Sequence, residues 1–226
     1  MQALVMFQNN KPVIAIDGTA GSGKGTLAKK LAKVLKFDHL DSGLLYRILA
    51  YKFLKLNKDL KMLREIDIDL KIFLEKKKIE KMRLRSPEIT KISSEIAKIK
   101  FVRQKLISLQ RKFANYPPKG NGSVIDGRDI TSVITPNAEI KFYIDADVKI
   151  RAERRLSQLE LSKKDYDKIL KELIQRDFRD KRRKISPLIL TKDSYFIDTG
   201  KISESEVLIK AINYIKKKQI LFSDCI

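Results

Sequence analysis

The stretch VIAIDGTAGSGKGTLAKKLAKVL (13–35) decides the fold. Val13 to Ile16 form an apolar run too short for a helix, which predicts a strand buried on both faces. Leu27, Leu31, Val34 and Leu35 recur at helical spacing and predict an amphipathic helix. Between them lies GTAGSGKGT (Gly18–Thr26). Its glycines let successive backbone N–H groups converge on one point, and the helix adds its positive N-terminal end. Strand, glycine-rich turn, lysine and helix in this order predict a phosphate cradle made by Gly18, Thr19, Ala20, Gly21, Ser22, Gly23, Lys24, Gly25 and Thr26. Lys24 is suited to the β- and γ-phosphates of a nucleotide, and a hydroxyl near the helix start to Mg²⁺. The common form of this loop has Ser or Thr directly after the lysine. Here Gly25 intervenes, and Thr26 follows.

Working outward, short apolar strands alternate with helices. SVID ends at Asp126, KFYID spans Lys141 to Asp145, and YFIDT spans Tyr195 to Thr199. A helix from Leu40 to Leu56 starts at an Asp41 or Ser42 N-cap. Helical periodicity runs from Pro87 to Phe113 and stops at NYPPKGNGS, where prolines and glycines forbid continuation. A helix carrying Arg151, Arg154 and Arg155 leads into a long basic helix reaching about Lys184, and EVLIKAINYIKKK closes the chain. The pattern predicts one α/β domain over 1–226, a P-loop NTPase-type parallel sheet flanked by helices. Two lobes are added to it. Alternating apolar and charged residues at about 57–85 predict a small hairpin insertion, and about 151–184 a basic helical lid.

Composition narrows the classes. Of 226 residues 43% are hydrophobic, which excludes a disordered chain, and no apolar run approaches the roughly 20 residues of a membrane helix. The leader MQALVMFQNNK has neither a basic start nor a cleavage site and reads as a frayed end. One cysteine, Cys225, cannot form an intrachain disulfide, which suits a cytoplasmic location. With a single histidine it also argues against a His/Cys metal site. The net charge of +21 admits two readings: a counterion-displacing nucleic-acid binder, or a lysine-rich solvated surface on a protein handling small anions. The lysines are scattered along helices and no aromatic ladder accompanies them, so the second is preferred and no specific nucleic acid is expected.

Four further stretches carry acceptor chemistry. DSGLLYR (41–47) puts Ser42 and Arg47 near a helix start, suited to a second phosphate. GRD (127–129) follows a buried strand, at the sheet edge where open α/β sheets bind ligands. RDFRDKRR (176–183) sets Arg176, Asp180 and Arg183 on one helical face. Ser94 and Arg103 lie nine apart, also roughly on one face. Asp126, at a strand end, is either an outer-sphere Mg²⁺ partner or a plain turn residue.

Together these motifs resemble the bacterial cytidylate kinase family of nucleoside monophosphate kinases, from about Val13 to Tyr214. The loop variant G-x-x-G-x-G-K-G-T, the segment D-S-G-x-x-Y-R, G-R-D after a central strand and R-D-x-R-D-x-x-R all match, as do Arg85-Ser-Pro-Glu-Ile89, Ser94 and Val102-Arg103. An adenylate kinase would instead show T-G-D-[ML]-L-R and D-G-[FY]-P-R segments. The resemblance implies ATP and Mg²⁺ as cofactors, with Thr26 on the metal side, and CMP or dCMP as acceptor. It implies that Ser42, Arg47 and Arg128 hold the acceptor phosphate and that Ser94, Arg103 and Asp129 read the cytosine edge. Arg176, Asp180 and Arg183 then serve ribose and phosphate. Lys24, Arg128, Arg154 and Arg155 act on the transferring group, and Arg151 shares the lid. Relatives of this kind are commonly monomers. Two departures stand out: after G-R-D the family has a hydrophobic residue, Gly and Thr where this chain has Ile130, Thr131 and Ser132, and the insertion between Arg47 and Arg85 is shorter than in the longer family members, which implies a reduced lobe of about two strands. The alternatives are a UMP or AMP kinase, or a basic P-loop nucleic-acid binder.

Overall fold

The computed structural model describes residues 11–56, 59–66, 84 and 86–218. Five parallel strands make one sheet in the order β2-β3-β1-β4-β5: β1 (Val13–Gly18), β2 (Asp38–Asp41), β3 (Ser123–Gly127), β4 (Ile140–Asp145) and β5 (Tyr195–Asp198). Because side chains alternate along a strand, β1 splits its apolar residues between two cores. Val13 and Ala15 join Leu40, Leu45, Ile48, Leu106 and Ile125 on one face. Ile14 and Ile16 join Leu27, Leu31, Val124, Phe142 and Ile144 on the other. That second face is covered by α1 (Lys24–Leu35) and α8 (Glu204–Lys217). The first is covered by α2 (Ser42–Lys55), α4 (Pro87–Ile96) and α5 (Lys100–Asn115).

Several boundaries differ from the sequence expectation. The helix expected from Leu40 begins at Ser42, because Leu40 and Asp41 belong to β2 and Asp41 caps the helix by accepting from Leu44 N at 3.2 Å. In α1 Leu27, Ala28, Leu31, Ala32 and Leu35 face inward, while Val34 is half exposed. The periodic stretch 87–113 is two helices. Ser86 caps α4 with Pro87 in its first turn, and the chain bends at 97–99 before α5. The bend frees the Ala97 carbonyl, which accepts from Arg103 Nη1 at 3.1 Å.

In the insertion, Leu60–Glu65 is a short helix, α3. The hairpin expected in this lobe falls on residues 67–83 and 85, outside the described residues. The basic region is a pair of packed helices, α6 (Val148–Gln158) and α7 (Tyr166–Arg182), which share a small core of Ala152, Ile169 and Leu173 with Ala20. Among the described residues no helix is long and apolar enough to cross a membrane.

Candidate active site

β1 ends at Gly18, and the chain cannot carry a side chain there: a Cβ would lie 2.0 Å from the Ile144 carbonyl oxygen of β4. Gly21 (φ 78°) and Gly23 (φ 87°) take the left-handed conformation that turns the loop into α1. Gly23 occupies the N-cap without a side-chain bond, and the first turn of α1 holds no acidic residue. The first N–H groups of α1 thus have no capping side chain at Gly23, an arrangement suited to an incoming anion such as phosphate. Lys24 folds over the loop, with Nζ donating to the Thr19 carbonyl at 3.2 Å. Burial, reinforced by the nearby Arg128 guanidinium, pushes the Lys24 ammonium down to about 7.

The loop is braced from beneath. Ser22 Oγ donates to the Thr19 carbonyl at 3.0 Å, and Thr199 Oγ1 donates to the Ser22 carbonyl at 2.9 Å. Thr19 Oγ1 donates to Asp145. Arg151 sits below, its Nη1 donating to the Ala20 carbonyl at 2.9 Å and pairing with Asp177 at 2.7 Å, while Nε donates to the Ala146 carbonyl. The sequence grouped Arg151 with the lid arginines. Its side chain is only 5% exposed and ties the lid helices to the loop instead. Arg154 donates to Thr199 Oγ1 at 3.0 Å and to the Thr199 carbonyl at 2.6 Å. Arg155, one residue on, donates to Gln158.

Across the cleft, GRD leaves β3 where Gly127 packs on the first residue of α2. A Cβ on Gly127 would stand 2.4 Å from Ser42 Oγ. Arg128 Nε donates to Asp180 Oδ2 at 2.9 Å, and Arg176 Nε lies 3.9 Å from the same oxygen. Burial would raise Asp180, but Arg128, Arg176 and Arg183 outweigh it and hold the carboxyl below the usual carboxylate range. Arg176 is pushed down to about 9 by burial and then by Arg128. The cationic charge here exceeds what the local carboxylates answer, so the cluster favours an incoming anion.

Deeper in, Asp129 pairs with Arg103 and lies 3.6 Å from Arg183 Nη2. The Arg103 guanidinium stands over the Tyr46 ring, 5.8 Å from its centroid. Three buried polar atoms around this carboxylate make no hydrogen bond: Tyr46 Oη, Arg103 Nε and Arg183 Nη2. Ser94 Oγ, on α4, donates to the Thr90 carbonyl at 3.1 Å.

One cleft of about 1100 Å³ joins these parts, room for two nucleotides. It is lined by Ala20, Gly21, Gly23, Lys24, Gly25 and Thr26 on the loop side. Ser42, Arg47, Ser94, Arg103, Arg128, Asp129, Arg176, Asp180 and Arg183 line the far side, with Arg154 and Arg155 at the lid. Gly18, Thr19 and Ser22 belong to the loop but do not line the cleft; Thr19 and Ser22 are fully buried.

The matching family model is that of cytidylate kinase, over residues 14–217. The chain belongs to the cytidylate kinase family. It is 40% identical to a cytidylate kinase of Thermodesulfovibrio yellowstonii over 88% of this chain and 95% of that one. It is 41% identical to one from Bartonella bacilliformis over 91% and 95%, and 36% identical to one from Vibrio cholerae over 95% and all of that chain. A solved structure of an uncharacterized protein from Eubacterium ventriosum superposes with a TM-score of 0.52 at 20% identity, over 91% of this chain and 99% of that one, and shares the fold. The chain is thus a P-loop enzyme of the nucleoside monophosphate kinase kind.

Some residues of this cytidylate kinase family member were not singled out from sequence. His39 Nε2 lies 2.7 Å from Asp126 Oδ1 on the neighbouring strand, in the cleft wall. Asp177 and Thr199 anchor the loop. Asp17 is fully buried, its carboxyl pushed up to about 6 by burial against three hydrogen bonds. The only sequence signal for His39 is its position as the lone histidine before LDSG; for Asp177 it is the RDFRD run; for Asp17 there is none beyond a charge inside an apolar strand.

Proposed function

We propose that the protein transfers the γ-phosphoryl group of ATP to the phosphate of CMP or dCMP, giving ADP and CDP or dCDP. The observation that carries this is the buried pairing of Asp129 with Arg103 in the wall of the cleft that also holds the Arg128–Asp180–Arg176 cluster. A carboxylate held there accepts from a 4-amino group and repels a 4-keto oxygen, which favours cytosine over uracil. Arg103 and Ser94 can donate to ring N3 and O2. Ser42, Arg47 and Arg128 hold the acceptor phosphate. Arg176, Asp180 and Arg183 serve the ribose and phosphate, with Asp180 accepting from sugar hydroxyls.

The donor lies on Gly18 to Thr26. The bond from the γ-phosphorus to the β–γ bridging oxygen breaks as one forms to a CMP phosphate oxygen, and the electron pair leaves with ADP. The acceptor oxygen is already anionic near neutral pH, so no general base is needed. Lys24 and Arg128 neutralise charge between the two polyanions. Arg155 and Arg154 add to it from α6, Arg154 by exchanging its Thr199 bonds for phosphate oxygens. Closing α6 and α7 over the cleft excludes water.

Among the described residues no group of three or more His, Cys, Asp or Glu could form a metal cage. Thr26 and Asp126, both in the cleft wall, would hold a divalent cation such as Mg²⁺ that arrives with the ATP phosphates. It supplies charge neutralisation at the β- and γ-phosphates.

ADP release measured by a coupled assay with CMP, dCMP, UMP, AMP and single-stranded RNA tests the reading. Turnover confined to the cytidine monophosphates is expected. Turnover with AMP or UMP in preference to CMP, or stimulation by RNA alone, overturns it.

A further inference from the structure

The Asp17 carboxylate has no part in the transfer described above, yet among the described residues its hydrogen bonds all go to one short segment, Ile130 and Thr131. Oδ1 accepts from Ile130 N at 2.9 Å. Oδ2 accepts from Thr131 N at 2.8 Å and from Thr131 Oγ1 at 2.7 Å. Asp17 and Thr131 are both buried, at 0% and 1% exposure, so neither meets substrate. Asp17 is the penultimate residue of β1, directly before Gly18 at the start of the phosphate loop, and it stands beside Gly127 in the β1–β3 register.

The segment it holds is a single π-helical turn, Ile130–Ile134. The first N–H groups of such a turn have no partner within it and must find one elsewhere. Asp129 stands at the N-cap, the place from which an aspartate ordinarily supplies that partner with its own side chain. It does not: its carbonyl accepts from Val133 N and Ile134 N, but its side chain makes no capping bond. Asp17 does the capping from another strand. The Asp129 carboxylate is left to Arg103 and Arg183, facing the cleft.

We propose that Asp17 and Thr131 are positioning residues for the acceptor base: by capping the Ile130–Ile134 turn from β1 they release Asp129 from that task and aim it into the cleft. When the remote cap is weakened, Asp129 competes to cap its own turn and its pairing with Arg103 loosens. The Thr131 hydroxyl is the one element of this cap that can be removed without touching the backbone or the buried charge.

This inference rests on the reading that Asp129 meets the acceptor base, and the test separates the two. Steady-state kinetics are measured for the whole protein carrying Thr131→Val, Thr131→Ser or Asp17→Asn, with melting temperature recorded for each. Thr131→Val should raise KM for CMP about tenfold, the scale of one lost hydrogen bond to a charged group. KM for ATP should stay within about twofold, and the preference for CMP over UMP should narrow. Thr131→Ser, which keeps the hydroxyl, should restore KM for CMP. Asp17→Asn, which puts an amide donor against backbone N–H groups, should shift KM for CMP further in the same direction. Equal rises in both KM values, or a lower melting temperature with KM for CMP and the CMP/UMP preference unchanged, overturn the proposal. If Thr131→Val does not fold, Asp17→Asn gives the same comparison. Failure of the unaltered protein to use CMP overturns the proposed function instead.

Discussion

Arg128 Nε donates to the Asp180 carboxylate at 2.9 Å, joining the end of β3 to α7 across 52 residues of sequence. This bond sets the pose of a guanidinium that lines the same cleft as Lys24 and Arg176, where the proposed function places the two phosphates. Replacing Arg128 by alanine should lower kcat/KM for CMP by about 10²–10³-fold, the range for losing one donor to transition-state charge. Asp180→Asn keeps the cation but loosens its pose, so KM for CMP should rise about tenfold with a smaller change in kcat. Steady-state kinetics check both. A kcat/KM for Arg128→Ala near the unaltered value contradicts the role given to it.

Lys24 makes nucleotide binding depend on pH. In the free protein burial, with Arg128, brings the ammonium down to about 7, so above pH 7 it is mostly neutral. The polyphosphate of ATP favours the charged form and raises it. Binding therefore takes up a proton above pH 7, and affinity for ATP falls as pH rises from about 7 toward 10. Calorimetry at pH 8 in two buffers of different ionisation enthalpy should show net proton uptake. No proton exchange at that pH contradicts the account.

Arg151 is expected to act on stability before activity. Its guanidinium holds the Ala20 and Ala146 carbonyls and Asp177, all near the loop. Arg151→Ala leaves a buried carboxylate without its partner, so it should cost about 3–5 kcal/mol by denaturant unfolding. Arg155→Ala, at the cleft rim, should leave unfolding within about 0.5 kcal/mol.

Gly18 and Gly25 should separate by their surroundings. A Cβ on Gly18 would strike the Ile144 carbonyl at 2.0 Å, backbone that β-sheet pairing holds fixed. Gly18→Ala should therefore be destabilised by about 3 kcal/mol or more. A Cβ on Gly25 would meet only Asp126 Oδ2, at an ordinary 3.6 Å. Within a helix, Gly25→Ala should be neutral or more stable by up to about 1 kcal/mol. The glycine after the lysine is thus not demanded by packing; what it does is leave open the space beside Asp126. Thermal melting of the two variants checks this contrast.

The loop side of the cleft was legible in sequence because it is local: Val13 to Leu35 hold strand, loop and helix in one run. The far side was legible only in parts. DSGLLYR, GRD and RDFRDKRR each mark residues that line the cleft, but nothing in their spacing says that Asp180 meets Arg128 or that Asp129 meets Arg103. Those pairings come from tertiary packing, which brings Arg103 of α5 to Asp129 and Asp180 of α7 to Arg128, both just after the end of β3. β2 escaped notice because its four residues, Asp38–Asp41, include two acids and carry no apolar run. Position on a basic helix says nothing of burial, so sequence alone groups the buried Arg151 with the lid arginines. Asp17 was invisible for a similar reason: a lone charge in an apolar strand acquires meaning only when the donors that answer it, 113 and 114 residues away, are seen.

The most direct test offers the protein equimolar CMP, UMP and AMP together, with ATP labelled in the γ-phosphate, and separates the products at low conversion. The account predicts that the label appears in CDP. Label found chiefly in UDP or in ADP formed from AMP would contradict the role of Asp129 and Arg103 as readers of cytosine.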